Sequence, residues 1–295
     1  MLKGMITALV TPFIGEKLDA EGLAKNICFQ LAQGVEGLVV LGTTGETPTL
    51  SLQEQEKVID IAVAEVRGRV PVIAGTGSFC TQQTIEKTKK AKKLGADIAL
   101  IVTPYYNRPS QEGIFRHFAA ITEAVDIPLL IYNIPARAGV NIETATLQRI
   151  AALPQVIAVK ESSGSVSQMA DAFHAVSAAF PHFTVLCGDD ALALPMISLG
   201  AKGLVSVVSN LIPASIAALV QAALLGDFSL ARQCHFQLLP LFKALFIETN
   251  PVPIKEAMTL CGMAAGPCRS PLAPLAAENR QAIRLLLRQM GLLPA

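Results

Sequence analysis

Charge is what this sequence has least of. Only 16% of its 295 residues are Asp, Glu, Lys or Arg, against about 25% in a typical globular domain. The 24 Lys and Arg nearly cancel the 23 Asp and Glu, leaving a formal net charge of +1. That balance offers no clustered positive field, so neither nucleic acid nor a membrane surface is expected as a partner. Cysteine pairing is missing too. Cys28, Cys80, Cys187, Cys234, Cys261 and Cys268 form no Cys-x-x-Cys pair and stand at no matched spacing from a histidine. Neither a metal site nor a disulfide framework is therefore signalled. Isolated cysteines in an apolar chain fit small buried thiols in a reducing compartment, and a cytoplasmic location is expected. The opening Met1-Leu2-Lys3-Gly4-Met5 lacks a long apolar run, so no secretion signal is expected there.

Apolar residues are abundant, at 52%. A chain this apolar and this sparsely charged must bury a large core, which excludes disorder and points to surface hidden in subunit contacts. The stretch Gly203–Gly226 carries no charge, but Ser206, Ser209, Asn210, Pro213 and Ser215 interrupt it. It reads as a buried strand followed by an Ala/Leu-rich helix rather than a membrane span.

Short β-branched runs recur along the chain: Met5–Val10, Gly37–Leu41, Val70–Ala74, Asp97–Val102, Pro128–Tyr132, Val156–Lys160, Thr184–Cys187 and Gly203–Val207. They are continuously apolar rather than strictly alternating, as strands of a parallel sheet buried on both faces should be. Segments of helical period such as Leu52–Val66 and Thr81–Leu94 lie between them. Eight such units predict an α/β fold, a parallel (β/α)8 or TIM barrel over residues 1–226. An open doubly wound sheet would want a Gly-x-Gly-x-x-Gly turn after the first strand, and Val10-Thr11-Pro12-Phe13 is not one. After Gly226 the strand signals stop, and residues 227–295 read as a C-terminal helical appendage broken by prolines.

Barrel active sites gather at the C-terminal ends of the strands. The chemistry-bearing residues expected there are Thr43, Thr44 and Glu46, the segment Thr103–Asn107, Tyr132, Arg137, Lys160 and Glu161. Lys160 ends an apolar run and should point into the barrel mouth. There desolvation disfavours an ammonium and favours a nucleophilic amine able to form a Schiff base; a solvated strand-end lysine is the plainer reading. Tyr132 could relay protons beside it or simply fill the core. Arg137, in a Gly/Pro-bearing loop, suits a carboxylate or is a solvated loop arginine. Thr43 and Thr44 offer hydroxyls and backbone N–H groups as a carboxylate anchor, or plain turn chemistry. The helical context of Lys255 predicts a surface charge, and His117, His174, His182 and His235 are expected to be structural.

Five segments taken together resemble the dihydrodipicolinate synthase family, relatives of N-acetylneuraminate lyase. They are Gly42-Thr43-Thr44-Gly45-Glu46, Thr103-Pro104-Tyr105-Tyr106-Asn107, Tyr132–Arg137, Lys160-Glu161-Ser162-Ser163-Gly164 and Gly188-Asp189-Asp190. The likeness continues to Asn250-Pro251-Val252-Pro253-Ile254-Lys255. It implies a class I aldolase-type lyase in which Lys160 forms a Schiff base with pyruvate. Tyr132, Thr43 and Tyr106 would form a proton relay, Tyr106 reaching in from a neighbouring subunit of a homo-oligomer, a tetramer of tight dimers. Thr44, with Thr43, would hold the pyruvate carboxylate, and Arg137 that of aspartate semialdehyde. Val205 would contribute a backbone carbonyl, and Gly188 would face the same cavity. No metal or organic cofactor is implied.

Arg137 and the Gly-Thr-Thr-Gly-Glu reading of Gly42–Glu46 favour the synthase over the sialic acid lyase, which usually reads Gly-Ser-Thr-Gly-Glu there and has no such arginine. The competing expectations are another pyruvate aldolase and a small-acid-binding barrel that has lost catalysis. One departure is Ala136-Arg137-Ala138 in place of the family's common Ser-Arg-Thr. In lysine-sensitive members, histidines occupy the positions of Leu52 and Gln55, an asparagine that of Phe79 and a glutamate that of Gln83, beside the tyrosine matching Tyr105. All four polar partners differ here, so weak or absent lysine inhibition is expected.

Overall fold

The computed structural model describes residues 2–177 and 179–293. Eight parallel strands close on themselves: β1 (Gly4–Ala8), β2 (Gly37–Val40), β3 (Val72–Gly75), β4 (Ile98–Val102), β5 (Leu129–Asn133), β6 (Val156–Glu161), β7 (Thr184–Cys187) and β8 (Gly203–Ser206). Each pairs with its neighbours in sequence, and β1 pairs with both β2 and β8, closing the barrel. Every expected strand is present, and the structure is the expected (β/α)8 barrel. A small antiparallel hairpin, Phe13–Ile14 with Lys17–Leu18, is additional; two-residue strands leave no periodicity to read.

The apolar runs hide an alternation. Ile6, Val39, Ile73, Leu100, Leu130, Ala158, Leu186 and Val205 fill the barrel interior. Met5, Leu38, Val72, Ala99, Ile131, Val159, Val185 and Leu204 face the helices. Both faces of each strand are buried, so alternation shows no change of polarity. One irregularity matters for chemistry. Leu129 pairs with Val156 but Leu130 pairs with Ala158, so Ile157 is an extra residue on β6. Val156 packs outward, while Ile157 and Ala158 both lie against the interior. A bulge of this kind re-aims the side chains beyond it, and here it turns Lys160 inward.

Helices on the outer face follow local signals. Ser51 accepts from the Glu54 N–H while Glu54 accepts from the Ser51 N–H, a capping box that starts Leu52–Val66. Beyond β8 come the helices Pro213–Leu224, Phe228–Ala244, Val252–Leu260 and Ala277–Gln289. Among the described residues no helix is long and apolar enough to cross a membrane.

Candidate active site

Tyr132 on β5 and Lys160 on β6 are partners in strand register, flanked by Val102 on β4 and Leu186 on β7. Lys160 is 5% exposed, and its Nζ lies 4.1 Å from the centroid of the Tyr132 ring. Gly188, just past β7, has no room for a side chain. A Cβ there would stand 1.9 Å from Ser162 Oγ and 2.8 Å from Lys160 Cε. The absence of a side chain at Gly188 thus leaves the lysine its place. Val205 is fully buried in the same interior cluster as Tyr132 and Ala158.

One residue further along, the register pair Asn133 and Glu161 faces the other way. Asn133 Nδ2 donates to Glu161 Oε2 at 2.9 Å and to Asn141 Oδ1 at 2.9 Å. The Ser163 N–H donates to the same carboxylate. Burial pushes the Glu161 carboxyl up, against the pull of these hydrogen bonds. Two consecutive residues therefore do different work: Lys160 enters the barrel, and Glu161 ties the strand's end to its neighbour.

The loop after β2 forms the opposite wall. Leu41 and Glu46 both have positive φ, 56° and 54°, and this tight path presents Thr43 and Thr44 over the mouth. Thr44 is buried, and its Oγ1 accepts from Asn250 Nδ2 at 3.0 Å. The Asn250 backbone carbonyl in turn accepts from the Arg137 guanidinium at 3.0 Å. Asn250 thereby joins the two residues expected to bind carboxylates. Its place in Asn250–Lys255 was visible in the sequence, but its bridging position was not.

Lys255 is a correction. It is not a surface charge: it is 1% exposed, and its Nζ donates to Glu46 Oε1 at 2.6 Å and to the Thr11 and Pro267 carbonyls at 3.0 Å. It also lies 4.2 Å over the Phe13 ring. Burial pushes the ammonium's pKa down, and Glu46 opposes that shift. The helix Val252–Leu260 turns this face, with Ile254 and Ala257, into the molecule. The countercharge comes from a loop far away in sequence, which local context does not reveal.

Thr43, Tyr132, Arg137 and Asn250 line one cavity of about 610 Å³. Lys160 is not itself among the lining residues; its contact with the cavity wall is through the Tyr132 ring. Tyr106 is not brought into the site: it is 92% exposed, with φ 72°, while the adjacent Tyr105 lines the cavity. His117 is buried, with Nδ1 2.9 Å from Thr81 Oγ1, and burial pushes its pKa down to about 4. The Asp190 carboxylate, bonded by Ser206 Oγ and the Val207 N–H, anchors the loop after β7; burial pushes its pKa up to about 6.

The model of the dihydrodipicolinate synthetase family matches residues 1–290. The 4-hydroxy-tetrahydrodipicolinate synthase of Protochlamydia amoebophila is 54% identical over 290 residues, covering 98% of this chain and 97% of that protein. The crystal structure of dihydrodipicolinate synthase from Aquifex aeolicus superposes with a TM-score of 0.96 at 43% identity, over 99% of each chain. A structure described as the first monomeric dihydrodipicolinate synthase variant has a TM-score of 0.97 at 39% identity, covering 99% of this chain and 97% of that one.

Proposed function

Because the chain belongs to the dihydrodipicolinate synthetase family, we propose that it is a lyase condensing pyruvate with aspartate 4-semialdehyde to give 4-hydroxy-tetrahydrodipicolinate, a step of lysine and diaminopimelate biosynthesis. The observation that carries this reading is the register pair Tyr132 and Lys160, an amine beside a phenol in a buried barrel mouth.

The Lys160 amine adds to the pyruvate ketone, and loss of water leaves an imine. The imine draws electrons from the methyl group, which gives up a proton to become an enamine carbon. That carbon attacks the aldehyde of the second substrate, whose oxygen takes up a proton. The second substrate's own amine then displaces Lys160 from the imine carbon and closes the ring. Tyr132 moves protons at the first and last steps, with Thr43 next in the relay. The relay's third member is Tyr106, which acts across a subunit contact. Its exposure in the single chain supports that assignment, and the assembly we infer is a homotetramer of tight dimers in the cytoplasm. Thr44 holds the pyruvate carboxylate together with Thr43, and Arg137 receives the carboxylate of the semialdehyde. Gly188 and the backbone carbonyl of Val205 border the bound imine.

A paired assay tests the reaction. Turnover of pyruvate with aspartate semialdehyde, without cleavage of N-acetylneuraminate, is expected. Cleavage of N-acetylneuraminate alone would assign the chain to another pyruvate aldolase.

A further inference from the structure

The loop 41–49 carries Thr43 and Thr44 along a path that a chain does not take unaided. Leu41 and Glu46 both have positive φ, a region unfavourable to residues with a side chain and kept only where the surroundings impose it. Three consecutive residues of the loop are each tied to a distant segment. Thr44 Oγ1 accepts from Asn250 Nδ2 at 3.0 Å. The Gly45 carbonyl accepts from Thr11 Oγ1 at 2.7 Å. The Glu46 carboxylate is held at both oxygens: Oε1 accepts from Lys255 Nζ at 2.6 Å, and Oε2 accepts from the Arg269 backbone N–H at 3.0 Å.

Lys255 connects these ties. Its other two N–H bonds go to the carbonyls of Thr11 and Pro267, each at 3.0 Å. One ammonium thus holds both Glu46 and the residue that holds Gly45. The Phe13 ring lies against Lys255 Nζ and the Arg269 guanidinium, 4.2 and 4.1 Å from its centroid. With 1% exposure and every N–H engaged, Lys255 can act on a substrate only through the loop. A buried ion pair is a poor stabiliser beside an apolar pair of the same volume, so stability is a weak reason to keep one here. The pair fixes a geometry instead: the left-handed turn at Glu46 is kept, and Thr43 and Thr44 stay over the barrel mouth.

We propose that Lys255, through Glu46, is a positioning residue for pyruvate, bracing the loop so that Thr43 and Thr44 meet the pyruvate carboxylate. This role rests on the carboxylate contacts proposed above for the two threonines. Misplacing an anchoring group by about 1 Å can cost on the order of 10²-fold in rate, so a small relaxation of the loop is felt at the substrate.

Borohydride trapping of the pyruvate adduct across pyruvate concentrations tests the brace, because the half-saturating concentration and the plateau are read separately. Lys255→Met should raise the half-saturating concentration about tenfold or more, the worth of one charge-assisted contact. The plateau should stay at the wild-type level, since Lys160 is untouched. A merely structural role would lower the plateau with the amount of folded protein and leave the half-saturating concentration where it was. Lys255→Met strands the Glu46 charge and can fail to fold, so Glu46→Gln with Lys255→Met is measured beside it. That double variant leaves no charge alone, yet the tie between loop and helix is gone, and the same rise is expected. Thr11→Val, nearly isosteric and uncharged, frees only the Gly45 carbonyl and should give a smaller rise. An unchanged half-saturating concentration in the double variant would overturn the proposal; if the double variant does not fold, Thr11→Val decides by the same criterion. No adduct on the wild type would overturn the pyruvate reading itself, and is told apart in this way from a loop that needs no brace.

Discussion

Tyr132 and Lys160 sit directly across from each other in the register between β5 and β6, with the lysine Nζ 4.1 Å from the tyrosine ring centroid. The ring supports the amine by contact, while the hydroxyl is placed to move protons. Tyr132→Phe separates these contributions. Turnover should fall by roughly 10²–10⁴-fold, the usual worth of a positioned acid or base, while the amine still forms an imine with pyruvate. Steady-state kinetics beside a trapping assay would check it; unchanged turnover would remove the phenol from the mechanism.

Glu46 and Lys255 form an ion pair in which neither side chain is more than 1% exposed. Removing one partner strands the other charge, which typically costs about 3–5 kcal/mol. Lys255→Met should therefore lower unfolding stability by about that much. The double variant Glu46→Gln with Lys255→Met should lose less than the sum of the single changes, because no charge is left alone. Denaturant unfolding of the three variants is the measurement, and strict additivity would show that the pair is not coupled.

His117 gives a pH dependence of definite sign. Its pKa is held near 4 by burial, below the ordinary value of about 6.5. The unfolded chain therefore binds this proton where the folded chain does not. The contribution is fully present above pH ~6.5 and is lost as the pH falls toward 4, by roughly 3 kcal/mol in all. Asp190, raised to about 6, acts in the opposite sense, so a variant comparison is needed. His117→Asn, which can keep the bond to Thr81, should lose less stability than the wild type between pH 6.5 and 4. Parallel stability curves for the two proteins would contradict the assignment.

Lysine should inhibit weakly or not at all. Phe79 packs edge-on against Tyr105, Gln83 carries no charge, and Lys87, which pairs with no carboxylate among the described residues, adds an ammonium to the same cavity. A ligand bearing two ammonium groups finds no free carboxylate there. Titration of lysine into the steady-state assay should leave the rate unchanged at sub-millimolar concentration; strong inhibition in that range would contradict this.

The barrel was legible because each strand is a short run bounded by turn residues. Thr184–Cys187 and the helix Leu52–Val66 have the boundaries the sequence predicts. Which residues face inward was not legible, because apolar side chains cover both faces of each strand. The inward aim of Lys160 depends on the bulge at Ile157, and a plain apolar run carries no mark of an extra residue. The site's main residues could be named from motifs at strand ends. The burial of Lys255 and the link from Thr44 through Asn250 to Arg137 could not. Each depends on contacts between distant segments: Lys255 is 209 residues from Glu46, and Asn250 is 206 from Thr44. Local context shows only that Lys255 lies on a helix.

The most direct test of the proposed mechanism is borohydride reduction in the presence of pyruvate, followed by peptide mass analysis. One reduced pyruvate on the peptide containing Lys160, absent from Lys160→Ala, is the predicted result. No adduct, or an adduct on a different lysine with Lys160 unmodified, would contradict it.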